Sequence, residues 1–186
     1  ITAREGDRSW GVTLSDGPST SDSNGEGRVF RYDSDGDLIR DEYYENDGWG
    51  GGQSIRGNYA GPVAGGKIDA TARYGRNDWQ EWQLQESPTA LRRSDFAEDS
   101  TSGELGVTWT RPLNPRWTLE TRMIHEFSSF DNVSTGNETL EGVVEPEQRF
   151  TADGDSSESI LRALVRNVCS PSLTLELGAE VAYNML

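Results

Sequence analysis

The chain has 186 residues, 33% of them hydrophobic and about 44% once its 21 glycines are counted, just under the usual ~45–50%. A mean hydropathy of -0.73, with no run near the ~20 apolar residues a spanning helix needs, excludes a helical membrane protein. With 32 acidic against 17 basic residues and a net charge of -15, it lacks the basic footprint that phosphate recognition requires, so no nucleic acid is expected as a partner. The single cysteine, Cys169, excludes an internal disulfide framework and a CxxC metal knuckle. None of this speaks against a membrane β-barrel, where only alternate residues face lipid and the average stays polar. Periodicity has to decide.

In chain order, Trp10, Val12 and Leu14 begin an alternation of period two. Ile55, Tyr59 and Val63 then oppose Ser54, Arg56 and Asn58, and Ile68, Ala70, Ala72 and Tyr74 oppose Lys67, Asp69, Thr71 and Arg73. Leu105, Val107 and Trp109 oppose Glu104, Gly106, Thr108 and Thr110. Trp117, Leu119, Met123 and Phe127 oppose Thr118, Glu120, Arg122 and Glu126, with Thr121 and His125 the softer members of the apolar set. The segment from Ser159 to Val168 alternates only in part. The last stretch is the cleanest: Leu173, Leu175, Leu177, Ala179, Val181, Tyr183 and Met185 stand against Thr174, Glu176, Gly178, Glu180, Ala182 and Asn184. Such strict alternation is the signature of a strand with one wet and one apolar face. No segment holds a helical stripe for three turns.

The connections alternate too. Long polar segments are expected near 16–26, 46–52, 86–100 and 131–156, and short turns near 34–37, 64–66, 113–115 and 169–172. Asp-Gly and Gly-Gly are hairpin chemistry, and proline closes turns because it cannot serve a central strand. Long loops on one side and tight turns on the other are what an outer-membrane barrel presents as extracellular loops and periplasmic turns. The pattern predicts an all-β, antiparallel up-and-down transmembrane β-barrel segment spanning 1–186, in the bacterial outer membrane. About nine strands, at 9–15, 27–33, 38–45, 53–63, 67–85, 102–112, 116–130, 158–168 and 173–186, would form an arc of a larger barrel. The hairpin 27–45 has no clean face and is expected outside the hydrocarbon. Ile1 opens without a methionine and Leu186 closes inside an apolar alternation, so a segment of a longer protein is expected.

Several phrases resemble the barrels of TonB-dependent receptors. Gly57-Asn58-Tyr59-Ala60-Gly61-Pro62-Val63-Ala64-Gly65-Gly66-Lys67-Ile68-Asp69 is similar to that family's strand, turn and returning strand. Thr110-Arg111-Pro112-Leu113-Asn114-Pro115-Arg116-Trp117 looks like a second periplasmic turn, and Ile1-Thr2-Ala3-Arg4 like the end of a plug domain. The plug body, the TonB box and a terminal aromatic strand are absent from these residues. The resemblance implies a part of a receptor that imports a scarce solute of the siderophore, cobalamin or oligosaccharide class. It also implies the receptor's own plug domain and the TonB system as partners, beside outer-membrane lipid and lipopolysaccharide. The alternatives are another outer-membrane barrel (porin, assembly or secretion pore) and a soluble β-sandwich carbohydrate-binding module.

The charges Arg56, Asp69, Arg73, Glu120, Arg122, Glu176 and Glu180 are expected to line the lumen. Tyr74, Trp117, Phe127 and Tyr183 fall near the ends of apolar faces, where aromatic girdles sit. Trp79 and Trp82, beside Gln80, Glu81 and Gln83, are candidates for a ligand-contacting loop, since aromatics next to amides suit sugar stacking. Asp33, Asp35 and Asp37 place Gly36 too early for a calcium loop, so a solvated hairpin turn is expected there. The acidic stretches 95–99 and 153–158 read as charged external loops. Asn132-Val133-Ser134 and Asn137-Glu138-Thr139 match the glycosylation sequon by chance if the protein is bacterial. His125 is the only histidine, so no multi-histidine metal site can form, and no serine is expected beside it. No catalytic, metal or cofactor site, and hence no enzyme, is expected.

Overall fold

The computed structural model describes all residues, Ile1–Leu186, and contains β-structure without a helix. The strands are β1 (Thr2–Glu5), β2 (Arg8–Thr20), β3 (Gly25–Tyr32), β4 (Leu38–Val63), β5 (Gly66–Glu86), β6 (Ala90–Asn114), β7 (Trp117–Leu140), β8 (Val143–Val144), β9 (Gln148–Ser170) and β10 (Leu173–Met185). They form one antiparallel sheet in the order β1-β2-β4-β5-β6-β7-β9-β10, with β3 on β4 and the two-residue β8 on β7. β1 and β10 do not pair, so the sheet is open.

Each strand touches only its hydrogen-bonded neighbours, and no second layer covers either face. A compact protein of this mass would expose about 8,900 Å²; this sheet exposes 13,316 Å² and has no buried hydrophobic side chain. The two-layer sandwich expected of a soluble module is therefore absent. The ladder carries the fold instead, with 129 of the 138 backbone hydrogen bonds inside the strands.

The strands run far beyond the alternating segments. The expected strands 38–45 and 53–63 are one continuous β4 of 26 residues, joined through the glycine-rich stretch expected to loop. β2 pairs with the second half of β4 and β3 with its first half, so the two act as one long strand interrupted at 21–24. Asn24 closes that interruption: its side chain accepts from the Gly48 N–H at 2.6 Å and donates to the Gly48 carbonyl at 3.0 Å. Most of 86–100 and 131–156 is likewise strand, leaving only 87–89, 141–142 and 145–147 outside. The long polar segments are thus tall hairpins. Alternation is lost there because both faces carry polar residues, while the backbone pairing continues.

Glycine makes this possible where aromatic rings cover it. Trp79 lies across Gly48 and Gly50, Phe130 across Gly154 and Phe127 across Gly103, each where a β-carbon would collide with the ring. Covering a strand glycine with a cross-strand aromatic restores the packing that glycine lacks. At the other end, the turn between β4 and β5 uses Ala64 at φ 49° and Gly65 at φ 76°, the left-handed pair of a type I′ hairpin.

Two stability predictions follow from these backbone features. Ala64→Asn relieves a left-handed alanine and should raise unfolding stability by about 0.5–1 kcal/mol in a urea titration of the folded protein. Gly103→Ala puts a methyl 2.3 Å from the Phe127 ring, whereas Gly57 has open space at its β-carbon. In the same titration Gly103→Ala should cost about 1–3 kcal/mol and Gly57→Ala less than half as much.

Candidate functional site: two opposed faces and a tall rim

Register places the expected apolar residues on one face. Trp10 lies opposite Tyr59, Leu14 opposite Ile55, and Ile55 opposite Tyr74. The face continues through Val107 against Met123, Met123 against Leu161 and Leu161 against Val181. Tyr74, Phe127 and Tyr183 close it at one end, with the Tyr74 and Phe127 rings 6.5 Å apart. Trp10, Trp109 and Trp117 lie at the other end. There Trp109 donates its indole N–H to the Val63 carbonyl at 3.0 Å and stacks under Arg111. The band between is exposed: Leu177 is 78% accessible and Val181 63%.

His125 sits on this face, and Ser159 lies directly opposite it with Oγ 2.9 Å from Nδ1. A serine–histidine pair does therefore form, contrary to the expectation from sequence, because β7 and β9 bring together residues 34 positions apart. The adjacent carboxylates Glu126 and Glu158 belong to the opposite face, so no acid orients the imidazole as a triad requires.

The other face is charged. Arg56, Asp69, Arg73, Glu120, Arg122, Glu176 and Glu180 all fall on it. The register adds neighbours that the chain order hides. Arg56 stands beside Arg73, then come Glu104, Glu126 and Glu158 in one lateral row. Two same-face rows away, Asp69, Thr108, Arg122, Arg162 and Glu180 form another. Ion pairs hold its margin, Arg166 with Glu176 at 2.6 Å and Lys67 with Asp69 at 3.4 Å.

Beyond the band the sheet rises into a polar rim with its own side-chain network. Arg40 and Gln85 converge on Glu42, each at 2.5 Å. The Arg40 hydrogen bond, reinforced by Gln85, holds the Glu42 carboxyl below the ordinary carboxylate range. Tyr43, on the opposite face, donates its hydroxyl to Glu26 at 2.5 Å and to Glu45 at 3.2 Å, and the Glu26 bond pushes its pKa up. Asn46 is 1% exposed and bonds Ser23, which ties the β2–β3 interruption to β4.

Trp79 and Trp82 lie in the regular part of β5 rather than in a loop, three positions apart, and so face opposite sides. Trp79 is on the side of the charged residues, flattened on the β4 glycines. Trp82 is on the side of Tyr74, where its neighbour is Trp49.

No family model matches the sequence, and no curated protein does. Among solved structures, the RagAB peptide importer in its "open-open" state is similar with a TM-score of 0.62 at 11% identity, over 98% of this chain and 26% of that one. Its "closed-closed" state gives 0.58 at 10% identity, over 98% and 27%, and a further RagAB peptide transporter structure gives 0.56 at 10%, over 97% and 26%. At this identity the likeness establishes the fold alone. The chain spans about a quarter of those chains.

The rim network carries a pH prediction. A carboxyl with a depressed folded pKa contributes stability above its unfolded pKa of about 4.3 and loses it as pH falls through the lower folded value. Protection factors of the amides in the β3–β4 hairpin, referred to intrinsic exchange at each pH, should therefore fall on acidification below about pH 4. In Glu42→Gln that loss of protection should be reduced.

Proposed function

We propose that this chain is an arc of the transmembrane barrel of a TonB-dependent outer-membrane receptor, importing a scarce solute. What carries the reading is a single-layer sheet with a predominantly apolar face, interrupted by the His125–Ser159 pair, opposite a charged one, in a fold shared with a peptide importer. From Trp117 to Phe127 the apolar face of β7 runs about 33 Å along the strand at ~3.3 Å per residue. At the usual tilt of ~35–45° this becomes about 25 Å, the height of a barrel's hydrocarbon band.

On this reading Tyr74, Phe127 and Tyr183 form the outer aromatic girdle, and Trp10, Trp109 and Trp117 the periplasmic one. An indole or phenol suits the headgroup region because its ring is apolar and its N–H or O–H is wet. The periplasmic hairpins are the tight turns after β4, β6 and β9, and the tall polar rim stands outside the cell. The turn at 34–37, expected among the periplasmic ones, falls at the rim end because β4 runs unbroken from Leu38 to Val63. The charged face lines the lumen, where Arg56, Asp69, Arg73, Glu120, Arg122, Glu176 and Glu180 meet the receptor's plug or its solute. The polar rim, with Glu42, Gln85 and Arg92 on the same side, forms the mouth. Siderophore, cobalamin and oligosaccharide remain solute classes, and the peptide carried by the RagAB importer joins them.

Membrane assembly tests this directly. Leu177→Arg places a charge in the centre of the apolar band, whereas Ala182→Arg places one on the charged face opposite Ile160. In outer-membrane fractions, with detergent-dependent solubility as the readout, Leu177→Arg should cost about 2–4 kcal/mol of folding stability and most of the assembled protein. Ala182→Arg should assemble close to the native level. Equal assembly of the two would remove the lipid-facing band, and with it the transporter.

A further inference from the structure

The side of the sheet that bears Tyr74 continues above the apolar band, and there it carries a groove that import does not use. Trp49 on β4 lies opposite Gln80 on β5, and Trp82 stands one same-face position further along, between Asp47 and Asp95. Trp49 and Trp82 are thus diagonal neighbours, within aromatic reach of one another. Between them is a shallow groove of about 200 Å³, floored by Ala97 and Val133 and edged by Gln80, Asp95 and Thr135. Arg93 fixes its polar edge: the guanidinium bonds Asp95 at 2.9 Å and lies 5.5 Å from the centre of the Trp82 ring. Trp49 is 43% exposed although the glycine strand around it offers no bulk of its own.

We infer that this groove binds the sugar headgroup of an outer-leaflet glycolipid, the core saccharide of lipopolysaccharide, on the outer wall of the barrel. The chemistry selects a sugar. Indole faces take the apolar C–H face of a pyranose ring, while a carboxamide, an anchored carboxylate and a hydroxyl take its hydroxyl groups. A small apolar cleft with a few placed polar groups is the usual form of a ligand site. The row beneath excludes a direct phosphate contact, because Asp78, Asp99, Asp131 and Asp153 stand in direct lateral register there. The glycolipid's own phosphates meet that row only through bridging divalent cations, which the titration therefore contains.

Position selects the source. The groove shares its side with the apolar band, so a solute moving over the charged face never reaches it. Gln80 lies six residues beyond Tyr74, about 15 Å above the outer girdle at the usual rise and tilt. That is where the saccharide of a neighbouring glycolipid stands. The inference rests on the membrane reading above. It explains why Trp49 is exposed, beside a half-buried Trp82, at a level where the wall meets neither hydrocarbon nor the charged face.

The test uses the full-length protein in detergent, titrated with rough lipopolysaccharide that carries core sugars and, separately, with lipid A lacking them. The combined Trp49→Ala and Trp82→Ala variant should bind rough lipopolysaccharide about tenfold more weakly and lipid A as the native protein does. Replacing both tryptophans by phenylalanine should recover most of the affinity. If the alanine variant fails to fold, Gln80→Ala serves in its place, with a smaller loss in the same direction. Unchanged affinity for rough lipopolysaccharide, or an equal loss for lipid A, overturns the sugar site while leaving the receptor reading intact. A native protein that fractionates away from the outer membrane overturns both.

Discussion

The ladder of backbone hydrogen bonds is what everything else in this protein depends on. A sheet one layer thick cannot bury side chains against a second layer, and this one buries no hydrophobic side chain. What remains is pairing, which satisfies each N–H and C=O without reference to the medium on either face. That independence lets one strand pass through several environments. β4 begins in a hydrogen-bonded polar rim, crosses a glycine patch covered by Trp79 and ends in an apolar band. It also sets a condition: a sheet whose outer strands are unpaired can enter hydrocarbon only when those edges find partners, because unsatisfied backbone groups are too costly there.

The same independence governs how much was legible in the sequence. Where the apolar face exists, the alternation of Leu173 to Met185, or of Ile68 to Tyr74, gave both the strand and the side each residue takes. Where both faces are polar, the identical backbone left no period to read, and the glycines, serines and aspartates of 46–52, 86–100 and 131–156 resembled loops. The missing signal was cross-strand. Trp79 opposite Gly50, and Phe130 opposite Gly154, identify these as paired strands, but only once register is known.

Register also decides what the candidate residues can do. The lumen candidates all lie on one face because alternation alone fixes parity within a strand. Their neighbours Glu104, Glu126, Glu158 and Arg162 were not singled out, because nothing in chain order says that they will stand side by side. Trp79 and Trp82 are close in sequence, yet an odd separation on a strand sends them to opposite sides. Trp49, thirty-three positions before Trp82, is the true companion. His125 and Ser159 meet for the same reason.

The charged face shows what such pairing costs. Like charges directly opposite each other in a sheet are destabilising, and here Arg56 meets Arg73, Glu104 meets Glu126, and Glu126 meets Glu158. In open water, screening keeps the penalty small, since charges at this separation in high dielectric interact by only about 1 kcal/mol. In a narrow, partly filled space the effective dielectric falls and the same rows cost several times more. The sequence keeps them nonetheless, while the margin is neutralised by Arg166 with Glu176 and Lys67 with Asp69. Neutral or alternating residues at these positions would give a more stable sheet, so fold stability alone does not account for the rows. In the first row the sign runs from the arginines of β4 and β5 to the glutamates of β6, β7 and β9, and in the second it reverses, from Asp69 on β5 to Arg122 and Arg162 on β7 and β9, so the charge is arranged row by row rather than strand by strand.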